Sequence, residues 1–265
     1  MTRRRNSGFV WFLGAWTALT VLFVLLPLLV LLAVSMTSRN YISLPTDGIS
    51  LRWYRQLLNS GFVTPAWNSV VLAAEAAMTT VVLGTLAALA MSKWRFPLRT
   101  QIRFIITSPI FVPTILMGLA ILVFFASYGW TNPSARLYVA HTVLTLPYAI
   151  RTVGAGLVGI DVNQQFAAQN LGATPLTVFR LITLPQIRAG IFAASVFAFI
   201  VSFDNVAVSV FLTAPSYNTL PVKLLEFTST ENDPSSAALS VVLIVVSLGM
   251  VAVLERIVGI RQLMS

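Results

Sequence analysis

The chain begins with MTRRRNSGFVWFLGAWTALTVLFVLLPLLVLLAVSM at residues 1–36, a basic start followed by a long apolar run. No charged residue occurs between Arg5 and Arg39. The apolar region of a cleaved signal peptide has roughly 7–15 residues, and this run is about twice as long. A helix needs about 20 apolar residues to cross a bilayer, so the stretch predicts an uncleaved first transmembrane helix.

The composition of the whole chain is that of a membrane protein. Of 265 residues, 57% are hydrophobic and only 9% are charged, with a mean hydropathy of +0.85. The absence of cysteine and the presence of a single histidine, His141, exclude disulfides, thiolate catalysis and zinc sites made of cysteine or several histidines. Neither lysine follows a glycine, so the chain has no phosphate-binding Walker A loop. The sequence therefore predicts a protein without catalytic residues or a bound cofactor.

Further apolar segments follow the first one along the chain. Those long enough to span a bilayer are, approximately, residues 9–36, 67–91, 104–128, 137–158, 190–212 and 235–254. They predict an all-α protein with six transmembrane helices in a single transmembrane domain, residues 1–265. Pro109 and Pro113 should kink the third helix.

The basic residues predict the orientation of these helices. With the N-terminus in the cytoplasm, the cytoplasmic segments contain 12 lysines and arginines and the external segments contain 5. Cytoplasmic segments of membrane proteins carry this excess, so both termini are expected in the cytoplasm. Outside, residues 50–59 (SLRWYRQLLN) predict a helix at the membrane interface, and residues 213–234 a loop with a short amphipathic helix.

Between the fourth and fifth segments lies the stretch AAQNLGATPLTVFRLITLP, residues 167–185. It predicts two short helices joined by a glycine turn. Asp161 is placed to cap the first helix, and Gly172 follows its end, where a left-handed conformation is needed. Thr174 and the proline after it are a start signal for the second helix, which Pro185 should end.

Two helices joined by a turn are also found in the helix-turn-helix motif of DNA-binding proteins. This stretch, however, has too few basic side chains for contacts with phosphates. Only Arg180 lies in the helices, with Arg188 beyond them. Nucleic acid is therefore not an expected partner. Two interpretations stay open from the residues alone: a loop that packs on its own membrane domain, or a docking element for a cytoplasmic partner.

The spacing A-A-x-x-x-G, then nine residues, then I-x-L-P resembles the signature of the inner-membrane permease subunits of ABC importers. The residues that match it are Ala167, Ala168, Gly172, Ile182, Leu184 and Pro185. The resemblance extends over most of the chain and is greatest to the spermidine/putrescine branch. It includes SLRWYRQLL (50–58), KWRFPLR (93–99), SFDNVAVSVFLTAP (202–215), TLPVK (219–223) and LERIVGI (254–260).

This resemblance implies a multi-pass subunit of the bacterial inner membrane whose cytoplasmic loop, residues 161–189, contains a coupling helix. The residues expected to dock on the ATPase are Phe166, Ala167, Ala168, Gly172, Ala173, Ile182, Leu184 and Pro185. Phe166 stands where the family usually has glutamate, so an apolar or glutamine-mediated contact is expected there. The implied partners are a second permease, expected to be a paralogue, two copies of a cytoplasmic ATPase that holds ATP and Mg²⁺, and an external solute-binding protein.

Two carboxylates fall inside the predicted spans, where each costs about 2.5–3.5 kcal/mol and usually faces a cavity or a partner. Asp204 lies in the fifth span between Phe203 and Asn205, and Glu75 lies in the second. A carboxylate beside an aromatic ring suits an ammonium group, so these four residues are the candidate substrate pathway. Asp204 could instead pair with the second permease. For Glu75, a pathway role, a pairing with the partner and a structural hydrogen bond stay open.

The expected solute is a small cation, in particular a polyamine. Other solutes of the same importer class, of opine, aminophosphonate or iron type, are the alternative. An ion-coupled secondary transporter is a further alternative, but it would predict internal repeats, and none is visible in this sequence.

Overall fold

A computed structural model describes residues 7–42, 48–57, 61–230 and 233–258. Within these ranges the protein is nearly all helical and has no β-strand, only isolated bridges between Thr37 and Ile49 and between Ala214 and Tyr217. The helices are α1 (Ser7–Ser35), α2 (Arg52–Leu57), α3 (Val63–Lys93), α4 (Arg99–Thr107), α5 (Thr114–Ser127), α6 (Pro133–Val158), α7 (Val162–Asn170), α8 (Pro175–Val178), α9 (Leu184–Phe203), α10 (Ser209–Leu212), α11 (Leu220–Thr230) and α12 (Ser235–Val258). The all-α prediction is confirmed for the described residues. Arg3, Arg4 and Arg5, and the end of the LERIVGI stretch, lie outside them.

Several of these helices are long and apolar enough to cross a membrane. Four described segments meet this test alone: Gly8–Ser35, Val63–Lys93, Pro175–Phe203 and Ser235–Ala252. Two bent pairs meet it together: Arg99–Phe111 with Thr114–Ser127, and Pro133–Val158 with Val162–Asn170. By length and composition, the described residues therefore contain four candidate spans, or up to six if each bent pair is one span.

The third predicted span is not one kinked helix. After α4, a 3₁₀ turn runs over Ser108–Phe111, Val112 is extended, and α5 begins after Pro113, with a bend of 109° across the break. Pro109 occupies the start of the 3₁₀ turn, and Pro113 disfavours a helical conformation at the residue before it. A kink within one helix was expected from the two prolines, and the structure instead has a break between two helices.

The contacts divide the chain into two compact units, and the first contains residues up to 62 together with 224–246. In this unit the indole Nε1–H of Trp53, in the short helix α2, donates to the carbonyl oxygen of Thr37 at 2.8 Å, and Trp53 is buried. Phe62 meets Phe227 edge to face at 5.4 Å. Most side chains of α1 are exposed.

The second unit contains residues 63–223 together with 247–265, and its centre is the packing of α3, α6 and α9 against one another. Small residues allow this close approach. A Cβ atom added to Gly84 would lie 2.7 Å from the Cβ of Ala149, and one added to Gly190 would lie 3.4 Å from the carbonyl oxygen of Thr152. Glycine and alanine at helix contacts are what close packing inside a membrane requires, since apolar side chains gain little by leaving lipid. A single domain over 1–265 stays a prediction.

Candidate functional site

The stretch between the fourth and fifth predicted spans begins with the capped helix that the sequence predicts. The carboxylate of Asp161 accepts from the backbone N–H of Asn163 at 2.9 Å and caps α7. Gly172 has φ +88°, so it adopts the expected left-handed conformation. Its N–H donates to the carbonyl of Gln169 at 2.9 Å, and the N–H of Ala173 donates to that of Ala168 at 3.0 Å. The turn is thus held by the last carbonyls of α7, and a residue with a Cβ would be strained at its centre.

The second short helix starts as expected but does not stop at Pro185. The hydroxyl of Thr174 accepts from the N–H of Thr177 at 3.3 Å and caps α8. A π-helical turn, Phe179–Thr183, then leads directly into α9, and the N–H of Leu184 donates to the carbonyl of Phe179. Pro185 directly follows this π turn, whose shifted hydrogen bonds let the helix continue through a residue without an N–H. The prediction that Pro185 ends the helix was therefore wrong.

Apolar side chains are exposed around this turn. Phe166 is 58% exposed, Leu171 89%, Leu176 57% and Leu181 72%, and these four residues with Gly172 are called the docking tip below. Of the other residues expected to dock, Ala167 and Pro185 are exposed, while Ala168, Ala173, Ile182 and Leu184 are half-buried.

A glutamine pair also connects the two ends of this stretch. The side-chain N–H of Gln186 donates to the side-chain oxygen of Gln164 at 3.1 Å, and this bond connects α9 to α7. The sequence analysis missed this pair and the three leucines of the docking tip. Three leucines beside a polar turn in a predicted cytoplasmic loop were the available signal for the tip.

The fifth predicted span is interrupted close to the candidate pathway residues. Helix α9 ends at Phe203, residues 204–208 are not helical, and α10 begins at Ser209, so the prediction of an unbroken helix to residue 212 was wrong. The side-chain oxygen of Asn205 accepts from the N–H of Val208 at 2.9 Å, and the hydroxyl of Ser209 donates to the carbonyl of Asn205 at 2.7 Å. These bonds replace the helical ones, because short polar side chains compete for the backbone.

His141 joins the two sides of this break. Its Nδ1 lies 2.7 Å from the hydroxyl of Ser202, in the last turn of α9, and its Nε2 lies 2.9 Å from that of Ser209. Because Ser209 donates its hydrogen to Asn205, it can only accept from the imidazole, so Nε2 carries the hydrogen and Nδ1 of a neutral ring accepts from Ser202. This is the geometry of a hydrogen-bonded residue at a helix contact.

The hydrogen bonds of His141 continue to α3. Its carbonyl accepts from the hydroxyl of Thr145 at 2.7 Å, and the hydroxyls of Thr145 and Thr80 are 2.7 Å apart. Histidine and both threonines are buried. Hydrogen bonds between buried side chains therefore connect the break at 204–208 to α3, α6 and α9.

The candidate pathway residues differ in how far their side chains are exposed on the surface of the chain. Asp204 is exposed, immediately after α9, and Asn205 is half-buried. Phe203 is only 5% exposed and stacks on Phe199 at 5.8 Å, so its ring does not lie open beside the carboxylate of Asp204 as the sequence analysis expected.

Glu75 is exposed on α3 and lines a cavity of about 430 Å³ together with Thr79 and Tyr138. The hydroxyls of Thr79 and Tyr138 are 2.7 Å apart. Burial, and to a smaller extent the carboxylate of Glu75, raise the pKa of the Tyr217 hydroxyl in the loop after α10. Tyr138 and Tyr217 were missed by sequence reasoning, because nothing local marks tyrosines that only the fold brings towards Glu75.

The loop after α10 is fastened to the start of α3. The side-chain amide of Asn68 donates to the carbonyl of Asn218 at 3.1 Å, and the hydroxyl of Ser69 accepts from the N–H of Leu220 at 2.8 Å. Among the described residues, no group of three or more histidines, aspartates or glutamates is arranged to hold a metal ion. The arrangement offers exposed single carboxylates and a surface tip, which suit passage and docking better than bond-breaking chemistry.

Comparison with known proteins agrees with this description. Residues 80–260 match the family described as the binding-protein-dependent transport system inner membrane component. The chain is 30% identical over 239 residues to the spermidine/putrescine transport system permease protein PotC of Escherichia coli (strain K12), covering 90% of both chains. It is 31% identical over 230 residues to the putrescine transport system permease protein PotI of the same organism, covering 84% of this chain and 82% of PotI.

The fold also has a counterpart among solved structures. A chain in the crystal structure of a bacterial alginate ABC transporter, in complex with an alginate pentasaccharide-bound periplasmic protein, superposes with a TM-score of 0.72. The match covers 93% of each chain at 16% identity, so it is a likeness of fold.

The class that this fold and these relatives define is a helical membrane permease. The chain belongs to the family of inner-membrane components of binding-protein-dependent transport systems, the permease subunits of ABC importers. Its relatives in this family include polyamine permeases.

Proposed function

We propose that this chain forms half of a translocation pathway for a small cationic solute, a polyamine, in the bacterial inner membrane. A second permease, a paralogue, forms the other half. Two copies of a cytoplasmic ATPase bind ATP and Mg²⁺ and supply the hydrolysis, and an external solute-binding protein delivers the solute. In this proposal the chain crosses the membrane six times, has both termini in the cytoplasm and binds no cofactor itself.

The docking tip carries the proposal of coupling. Four exposed apolar side chains surround a turn whose conformation depends on Gly172. Exposed apolar groups that cluster on a polar, cytoplasmic loop indicate a surface that a partner covers. Phe166, in place of the usual glutamate, suits an apolar recess of the ATPase, and Gln164 and Gln186 lie beside it for polar contacts.

A continuous helix leads from this tip towards the candidate pathway. Residues 175–203 form one helical span of 29 residues, without a break at Pro185. At 1.5 Å per residue, such a span is about 40 Å long. Movement of the ATPase at the tip would be passed along it to the break at 204–208, where Asp204 is exposed. Closure of the ATPases would in this way shift the population of the permease from inward-open to outward-open states.

Asp204 and Glu75 carry the proposal of a cationic solute. Both carboxylates are exposed on the isolated chain, one at a helix break and one in a cavity beside Tyr138. Carboxylates bind ammonium groups by charge-assisted hydrogen bonds, and tyrosine faces add cation–π attraction. The identity of about 30% to PotC and PotI supports a polyamine over the other solutes of this importer class.

The proposal can be tested with the complex in proteoliposomes. With the second permease, the ATPase and a putrescine-loaded binding protein present, we expect ATP-dependent uptake of labelled putrescine. Uptake by this chain alone, driven by an ion gradient, would contradict the importer mechanism. ATP-dependent uptake of an aminophosphonate and none of putrescine would contradict the polyamine assignment.

Asp204→Asn tests the pathway within the same assay. Loss of one charge-assisted contact is expected to lower putrescine uptake about tenfold or more, with the complex still assembled. Asp233→Asn is the matched control, because Asp233 caps α12 by accepting from the N–H of Ser235, and asparagine caps equally well. Equal uptake by Asp204→Asn and the control would remove Asp204 from the pathway.

Gly172→Ala tests the coupling. Alanine at φ +88° is strained by about 1–2 kcal/mol, so the turn should shift and ATP hydrolysis should continue with reduced uptake. Gly159→Ala is the control, since Gly159 lies in the same connection with φ −87° and neither glycine has a neighbour within 4 Å of an added Cβ. An unchanged ratio of solute transported to ATP hydrolysed in Gly172→Ala would contradict the role of the turn.

A further inference from the structure

Helices α4 and α6 and the end of α3 line a cavity of about 550 Å³ that the proposed transport role does not use. Arg99 and Arg103 reach it from α4, where they lie four residues apart and so on one face of the helix, and Arg151 reaches it from α6. We call it the arginine cavity. Three guanidinium groups around one space are a concentration of positive charge in a chain that has few charged residues.

The charge in this cavity is not neutralised within the described part of the chain. No described aspartate or glutamate lines it. The only hydrogen bond that the three guanidinium groups make among the described residues is from Arg99 to the carbonyl of Met91, in the last turn of α3. Each guanidinium has five N–H donors and matches the geometry of a phosphate, so Arg103 and Arg151 retain their full donor capacity.

The rest of the lining is largely apolar. Ala88, Ile150 and Leu157 contribute to the wall, and Ser92 adds a hydroxyl. A cavity with a cationic part and an apolar part matches a molecule with a phosphate and a hydrocarbon chain.

The surroundings of the arginine cavity belong to a membrane interface. Helix α4 exposes Phe104 and Ile105, both 66% exposed, on a face away from its arginines, and Trp94 is 65% exposed just before it. Tryptophan and basic residues at the end of an apolar helix are typical of the level of the lipid headgroups. Basic pockets between transmembrane helices at this level bind anionic headgroups.

We propose that the arginine cavity is a binding site for a phosphate anion, held between Arg103 and Arg151, and that its source is the phosphodiester of an anionic membrane lipid. The apolar wall favours a lipid over free inorganic phosphate, which has the same charged group but no hydrocarbon chain. The proposal rests on the proposed function in one respect only, which is the side of the membrane. In the proposed topology the lipid belongs to the cytoplasmic leaflet.

The test measures the lipid that the purified full complex retains. The complex is exchanged into micelles that contain phosphatidylglycerol or phosphatidylcholine, and the bound lipid is counted by native mass spectrometry. We expect the wild type to retain phosphatidylglycerol in preference to phosphatidylcholine. The Arg103→Gln, Arg151→Gln double variant should lose this preference, with at least about a tenfold weaker retention, because two charge-assisted contacts are removed.

Arg95→Gln is the matched control, because Arg95 is exposed on the same connection but does not line the cavity. Arg99 is left unchanged because it also bonds to the end of α3. Binding of labelled inorganic phosphate that the double variant loses, without preferential retention of phosphatidylglycerol, would support the phosphate site and assign its source to free phosphate.

Two results would overturn the proposal. One is equal retention of phosphatidylglycerol and phosphatidylcholine by the wild type together with no binding of labelled phosphate, and this comparison needs no variant to fold. The other is phosphatidylglycerol retention in the double variant equal to that of Arg95→Gln. Putrescine uptake is measured separately, so a failure here is distinct from a failure of the transport proposal.

Discussion

The two ends of helix α9 differ in kind. Before it, the π turn Phe179–Thr183 and Pro185 leave the helix continuous from residue 175. After it, no proline occurs near Phe203, and yet the helix stops and resumes only at Ser209. The helix therefore continues through Pro185, and about twenty residues later, at 204–208, it breaks although no proline is present.

The two places differ in which groups form hydrogen bonds with the backbone N–H and C=O groups. At Pro185 the π turn has already shifted the backbone hydrogen bonds, since the N–H of Leu184 donates to the carbonyl of Phe179 five residues back, and the helix continues through a residue that has no N–H. At the break, Asn205 and Ser209 supply side-chain bonds to the backbone, and His141 holds both edges. Helix continuity in this protein is thus decided by the partners available from side chains and other helices, and proline is a weaker signal.

The largest effect is expected from His141→Leu. Leucine cannot bond to Ser202 or Ser209, so two buried hydroxyls lose a partner at about 1–3 kcal/mol each. The free energy of unfolding, measured by denaturation in mixed micelles, should fall by about 2–6 kcal/mol. A double-mutant cycle with Ser202→Ala should give a non-zero coupling energy. A stable His141→Leu protein with no coupling would mean that the break holds without its histidine.

A smaller effect is expected from Gly118→Ala, which tests how closely α5 packs on the break. A Cβ on Gly118 would lie 2.9 Å from the Cα of Val208 and 3.0 Å from its carbonyl oxygen, and backbone atoms cannot rotate away. Overpacking of this kind costs about 1–3 kcal/mol of unfolding free energy. Gly249→Ala is the control, since nothing lies within 4 Å of its added Cβ. Equal stability of the two variants would show that α5 can move away from the break.

The smallest effect is expected from Pro185→Ala. A proline in the interior of a regular α-helix costs about 3 kcal/mol, but the π turn before Pro185 already shifts the backbone hydrogen bonds, so the unfolding free energy should change by less than about 1 kcal/mol. The same unfolding measurement checks this, with His141→Leu as the reference for a large change. An increase of about 3 kcal/mol in the free energy of unfolding of Pro185→Ala would contradict this expectation, because it would show that Pro185 destabilises the helix as a proline in a regular helix interior does.

Local signals predicted the stretch at residues 161–178 well. Asp161, Gly172 and Thr174 adopt the capping and turn roles that their residue types indicate, because those roles depend on neighbours within about four residues. The spacing from Ala167 to Pro185 also identified the family, which the comparison confirms. The docking and pathway roles of these residues stay predictions.

Long-range features were not predictable in the same way. The break at 204–208 lies in an apolar stretch that has the composition of a span, and its stabilising partner His141 is about sixty residues away in sequence. The bend of 109° after α4 exceeds what two prolines indicate by themselves. Tyr138 shares a cavity with Glu75, and Arg151 shares one with Arg103, only because α6 packs beside α3 and α4.

The amino-acid sequence by itself determined the class of this protein, its helical content, its turn at Gly172 and its family, since hydropathy, capping and motif spacing act over short distances along the chain. The tertiary structure decided where helices stop, which carboxylates are exposed and which arginines share a cavity. The physical reason is that a backbone group or a charge in an apolar setting needs a partner, and in this fold the partner comes from another helix.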